Sequence, residues 1–103
     1  MDPFKPYAPQ NRPQPGPAIR SVEEAEAVAL KAIAFIASDE ELLSRFVALT
    51  GCGADDIRQR ISDLGFLGGV LDFVLADEPT LLAFAEAAEL APETPMAARN
   101  RLP

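Results

Sequence analysis

The run Phe66-Leu67-Gly68-Gly69-Val70-Leu71-Asp72-Phe73-Val74-Leu75-Ala76, followed by Asp77-Glu78-Pro79, is the most apolar in the chain and decides how the rest is read. It has an earlier echo. A shift of 38 positions lays Phe35-Ile36-Ala37-Ser38-Asp39-Glu40 over Phe73-Val74-Leu75-Ala76-Asp77-Glu78 without a gap. The same shift puts Val28 on Phe66, Ile33 on Leu71, Leu43 on Leu81 and Phe46 on Phe84. The expected fold is therefore all-α: a compact bundle of five to six helices, built from two tandem copies of a helix-turn-helix unit of about 38 residues. Two copies are too few for a solenoid, in which each repeat would lean only on its neighbours.

Outward from that run, each helix carries its own start and stop signals. Ser21-Val22-Glu23-Glu24 fits a capping box and opens a first helix to about Ser38. Its apolar residues Val22, Ala25, Ala29, Ile33 and Ile36 recur at three- and four-residue steps and predict the buried stripe, widened by Leu30 and Phe35. Ser38-Asp39-Glu40-Glu41 repeats the pattern and starts a second helix, ending near Thr50, with Leu42, Leu43, Phe46, Val47 and Leu49 as its inward face. Gly51 is the expected left-handed stop. A short third helix runs from Ala54 to about Ser62, with Ile57 and Ile61 inward. Asp63 caps the fourth, the organising run. Asp77, Glu78 and Pro79 start a fifth, where Leu81, Leu82, Phe84, Ala85 and Ala88 face inward. Pro92-Glu93-Thr94-Pro95 starts a sixth, carrying Met96, Arg99 and Leu102.

On a helical wheel the fourth helix leaves one narrow face free of large side chains: Gly65, Gly68, Gly69, Asp72 and Ala76. The matching face of the first helix, Ala27, Lys31, Ala34 and Ser38, is also small. Mid-helix glycine costs about 1 kcal/mol relative to alanine, so Gly68 and Gly69 mark a surface whose missing side chains have a use, either close packing or docking. Exposure to water is the simpler expectation, and a partner-binding groove is the sharper one.

Residues 1–20 read differently from residues 21–103, the single folded domain. They hold six of the ten prolines, which remove amide donors and fix φ, so a disordered tail with polyproline II character is expected. At three residues per turn Phe4 and Tyr7 share one edge, and Pro3, Pro6 and Pro9 another. Such a segment suits an aromatic-lined groove, and equally serves as a solubilising tail.

Composition narrows the function. The chain of 103 residues has a net charge of −7, no histidine and one cysteine. The tail carries Lys5, Arg12 and Arg20 against Asp2, leaving 6 basic and 15 acidic side chains on the body. An acidic body repels nucleic acid and anionic membrane surfaces. Without histidine the usual zinc, copper and haem ligand sets are missing, and no cofactor or metal is expected. The single Cys52 permits no internal disulfide and, beside Asp55 and Asp56 and with no histidine as base, reads as a turn residue rather than a nucleophile. Apolar stretches broken by Lys31 and Asp72 fall short of the about 20 residues that span a bilayer. A cytoplasmic location is expected, as a monomer or weak dimer.

Two function classes remain. The first is a non-enzymatic interaction module, an adaptor or regulator, binding a protein partner through Phe4 and Tyr7 or through the face of Gly68 and Gly69. The second is a DNA-associated regulator using the helix-turn-helix-like segment 47–61, in which Arg58 and Arg60 would touch phosphates while Asp55 and Asp56 oppose them. No catalytic residues are expected. The segments Ala48-Leu49-Thr50-Gly51, Asp55-Asp56-Ile57-Arg58 and Phe66-Leu67 through Glu78 resemble a family of small alphaproteobacterial proteins known only as a domain of unknown function. The likeness runs from about Val22 to Leu102 and implies a bacterial cytoplasmic helical protein, with no catalytic residues to carry over. Where that family has an aliphatic residue and a proline after the glycine, this chain has Cys52-Gly53-Ala54.

Overall fold

Local capping chemistry sets nearly every helix boundary in this computed structural model, which describes residues 19–103. The expectations for the tail, Phe4 and Tyr7 included, lie outside the described residues. Six helices follow: α1 (Val22–Ala37), α2 (Glu40–Thr50), α3 (Ala54–Arg60), α4 (Leu64–Leu75), α5 (Glu78–Ala88) and α6 (Thr94–Arg99). No strand occurs among the described residues. Ser21 Oγ accepts from the Glu24 amide at 3.1 Å, and Glu24 answers to the Arg20 amide at 2.6 Å. Asp39, Asp63 and Asp77 cap α2, α4 and α5, each accepting from amides of the first turn. The start of α2 is therefore Asp39 rather than Ser38. Ser38 closes α1 instead, its hydroxyl donating to the Phe35 carbonyl at 2.8 Å.

The duplication is visible in the boundaries. Shifted by 38 positions, Glu40–Thr50 of α2 falls on Glu78–Ala88 of α5, and the last residue of α1 falls on the last of α4. The caps coincide as well: Asp39 with Asp77, and Gly51 with Glu89. Both latter residues are left-handed, Gly51 at φ 74° and Glu89 at φ 58°. Packing repeats too. α1 lies on α4, α2 packs on α1 as α5 packs on α4, and each copy reaches into the other through aromatic rings. Phe35 of α1 lies 5.6 Å from Phe84 of α5, and Phe73 of α4 lies 5.3 Å from Phe46 of α2. The 38-residue shift exchanges these two pairs, which is the signature of a pseudo-two-fold relation.

The third helices break the symmetry. α6 packs across both α1 and α4, whereas α3 makes no comparable packing. The sequence supplies the reason: where α6 presents the buried Ala98, the corresponding residue of α3 is Arg60, whose charge resists burial.

The core runs along the α1–α4–α6 contact. Ala25, Val28, Ala29, Ala32 and Ile36 of α1 meet Leu67, Val70, Leu71 and Val74 of α4, with Ala98 and Leu102 closing the end. The buried stripe of α1 is thus rotated toward its small residues and takes in Val28 and Ala32. Val22 is 37 % exposed and Leu30 44 %. Alanines let neighbouring helices approach closely, so the larger residues are left at the edges. Other inward assignments also shift. Leu49 is 75 % exposed, and Leu82, Ile61 and Met96 are exposed as well. α2 presses one line of residues inward, and only Phe46 of that helix is fully covered.

Candidate interaction surface: an aromatic-floored groove between α1 and α5

Lys31, Ala34, Phe35 and Ser38 follow at the three- and four-residue steps that put side chains on one helix face, and so do Phe84, Ala87 and Ala88. Where α1 meets α5 these two faces form a groove of about 440 Å³. The tilted ring of Phe35, half-buried, is the aromatic surface of the floor, backed by the fully buried Phe84. The alanines keep the walls low. The Ser38 hydroxyl is turned back onto the Phe35 carbonyl, which leaves Lys31 as the donor on the lining.

Phe35 also lines a second cleft of about 250 Å³. This cleft is formed by Asp39, Glu41, Leu42 and Arg45 of the first copy and Pro79, Thr80 and Ala83 of the second. The 38-residue shift maps Glu41 to Pro79, Leu42 to Thr80 and Arg45 to Ala83, so this cleft lies on the pseudo-two-fold relation. Arg45 donates to Thr80 Oγ1 at 3.3 Å, its guanidinium carbon 5.9 Å from the Phe73 ring centroid. The Thr80 hydroxyl and amide both donate to Asp77, and these bonds hold its carboxyl below the usual carboxylate range. The second cleft is the more charged of the two, with Asp39, Glu41 and Arg45 on its lining.

The duplicate positions of the larger groove provide an internal comparison. Ala34 corresponds to Asp72, Ala87 to Leu49, Ala88 to Thr50 and Ser38 to Ala76. The second face thus carries Asp72 and Leu49 where the first has alanine, and Gly69 where the first has Lys31.

The glycine face of α4 resolves into two environments. Gly68 is buried beneath the end of the chain: a Cβ there would stand 3.0 Å from the Pro103 carbonyl oxygen, 3.1 Å from Arg99 Nη1 and 3.2 Å from Arg99 Cζ. Arg99 is held in place by Asp72 Oδ1 at 2.7 Å and by the carbonyls of Leu102 and Pro103, each at 3.1 Å. The bond to Asp72 pushes the guanidinium above its ordinary value. The expectation that this face meets water is corrected at Gly68, which is buried with Arg99 and the Pro103 carbonyl packed close against it. Gly69 is exposed, and a Cβ there would have no neighbour within 4 Å.

On α3, Arg58 and Arg60 are exposed, and Arg58 is paired with Asp55 at 3.0 Å. With Arg99 turned to Asp72 and Arg101 donating to the Ile19 carbonyl at 3.1 Å, Arg58, Arg99 and Arg101 are each engaged by a different partner. Cys52 is buried, its amide donating to Thr50 Oγ1, as befits a turn residue. Among the described residues there is no group of three or more His, Cys, Asp or Glu placed to hold a metal ion, and no helix is long and apolar enough to cross a membrane.

An all-α body with a duplicated helical hairpin is the class this geometry defines. The chain belongs to the family described as "Protein of unknown function (DUF3572)", which matches residues 22–103. Neither the curated proteins nor the solved structures provide a match.

Proposed function

We propose that this protein is a non-enzymatic interaction module of the bacterial cytoplasm, an adaptor or regulator that holds a segment of another protein in the groove between α1 and α5. The observation that carries this reading is the asymmetry of the duplicate: an aromatic floor walled by Ala34, Ala87 and Ala88 on one face, against Asp72, Leu49 and Thr50 on the other. Apolar, concave and half-open surfaces of this size suit side-chain anchors of a peptide. The test is quantitative cross-linking in extract of the source organism, comparing wild type with Ala87→Glu and with Leu49→Glu. Loss of the same cross-linked protein in Ala87→Glu alone supports the groove; equal capture by all three chains overturns it.

The DNA-regulator reading has the two exposed arginines of α3 in its favour. Against it stand the acidic first turn of α3 and the Arg58–Asp55 pair. Phosphate binding would give an affinity that falls steeply with salt and disappears in Arg58→Ala/Arg60→Ala. We expect no binding to random duplex DNA at low micromolar protein and physiological salt.

A further inference from the structure

Resting on the groove reading above, we infer that its resident occupant is the chain's own segment 3–9, docked as a polyproline II helix, so that an outside partner must displace it. Four observations meet here. The groove floor is the half-buried ring of Phe35 backed by Phe84 and flanked by alanines, and aromatic-lined grooves are the kind of surface on which proline-rich segments dock. At three residues per turn, the spacing of segment 3–9 would put Pro3, Pro6 and Pro9 on one edge of a polyproline II helix, Phe4 and Tyr7 on the next and Lys5 on the third. Polyproline II leaves its carbonyls without internal partners, and Lys31 on the groove lining is a donor for them. Lys5 has counter-charges in Asp39 and Glu41 of the second cleft, which shares Phe35 with the groove.

The chain is long enough. Ile19 is anchored against the core and by Arg101. From the start of α1 to Ala34 the helix advances about 18 Å at ~1.5 Å per residue. The ten steps from Pro9 to Ile19 span about 31 Å in polyproline II. Residues 3–9 therefore reach the groove with length to spare, and Phe4 and Tyr7 can meet Phe35 and the exposed Ala34 and Ala87.

The experiment uses the full chain, labelled with nitrogen-15, beside its Phe4→Ser/Tyr7→Ser variant. Removal of the two rings is expected to shift the amides of Ala34, Ser38, Ala87 and Ala88, and to leave those of α3 in place. The shifts are expected to be the same across a hundredfold range of protein concentration. A synthetic peptide of residues 1–12 is then added to each chain. It is expected to bind the variant about tenfold more tightly than wild type, as a groove nine-tenths occupied by its own tail requires. Unchanged groove amides, or equal peptide affinity for both chains, overturn the inference. Shifts that grow with protein concentration also overturn it, because the occupant is then the tail of a second copy. The groove reading has its own control: if Ala87→Glu still abolishes the cross-link while the tail variant changes nothing, the groove stands and the tail is not its occupant.

Discussion

Phe35 and Phe84 face one another at 5.6 Å across the boundary between the two copies, and the exchange of copies turns this pair into Phe73 and Phe46. Each copy thus closes its aromatic cluster with a ring borrowed from the other. Phe46 meets both Phe66 and Phe73 edge-on, at 6.2 and 5.3 Å, and is buried. Edge-to-face pairs add to what burial alone contributes.

The first prediction concerns that linkage. Phe46→Ala is expected to cost about 3–5 kcal/mol, the range for a buried phenylalanine. Because the ring ties α2 to α4, unfolding should remain one transition rather than separating into two. Urea denaturation followed by circular dichroism reads both the midpoint and the shape. A biphasic curve would show that the copies fold independently.

Neighbouring glycines should respond with opposite signs. Gly69→Ala adds a methyl group in open space and is expected to stabilise by about 1 kcal/mol through helix propensity. Gly68→Ala must push against Arg99 and the Pro103 carbonyl together, a cluster already fixed by three hydrogen bonds, and is expected to destabilise. Thermal midpoints of the two variants decide the matter. Equal stabilisation would mean that the end of the chain yields freely.

The left-handed caps offer a paired comparison. Glu89 at φ 58° bears a side chain where the first copy has Gly51. A left-handed L-residue costs about 1–2 kcal/mol, so Glu89→Gly should raise stability by about 1 kcal/mol and Gly51→Ala should lower it by a similar amount. An unchanged midpoint in Glu89→Gly would show that the carboxylate makes up the strain by other means.

Acid should release one identifiable contribution. The Thr80 hydroxyl, then its amide, lower the folded-state value of Asp77, with Arg45 adding a smaller share. A depressed folded value means that the stabilisation is fully present above the unfolded value of about 3.9 and is lost as pH falls through the folded one. Asp77→Asn keeps a capping oxygen and removes the titration. The gap between wild type and variant in urea midpoint should therefore be wider at pH 6 than at pH 2. A gap that does not depend on pH would assign the acid sensitivity to other carboxylates.

How much of this was legible in the chain follows from the range of each interaction. Ser21, Asp63, Gly51 and Pro79 announce helix ends because a cap bonds within three or four residues of itself. The duplication was legible for the same reason, since both copies write the same caps. Burial was less so. Leu30, Leu49 and Leu82 are apolar and exposed, because the number of neighbours a helix acquires is set by distant segments rather than by its own composition. The small face of α1 was readable as Lys31, Ala34 and Ser38, but the facing wall comes from Phe84, Ala87 and Ala88 in the other copy. Gly68 was singled out by its cost to the helix, and Arg99, 31 residues further on, explains it.

The interlocked rings have a consequence for how such a molecule changes over time. In a two-fold pair of identical chains, a substitution appears on both faces at once, and each face is bound to evolve with its twin. Here the two halves are written separately on one strand. Alanines stand beside Phe35 and Phe84, and leucine and aspartate at the matching positions beside Phe46 and Phe73. Two halves written on one strand can differ face by face while the shared helical frame is kept.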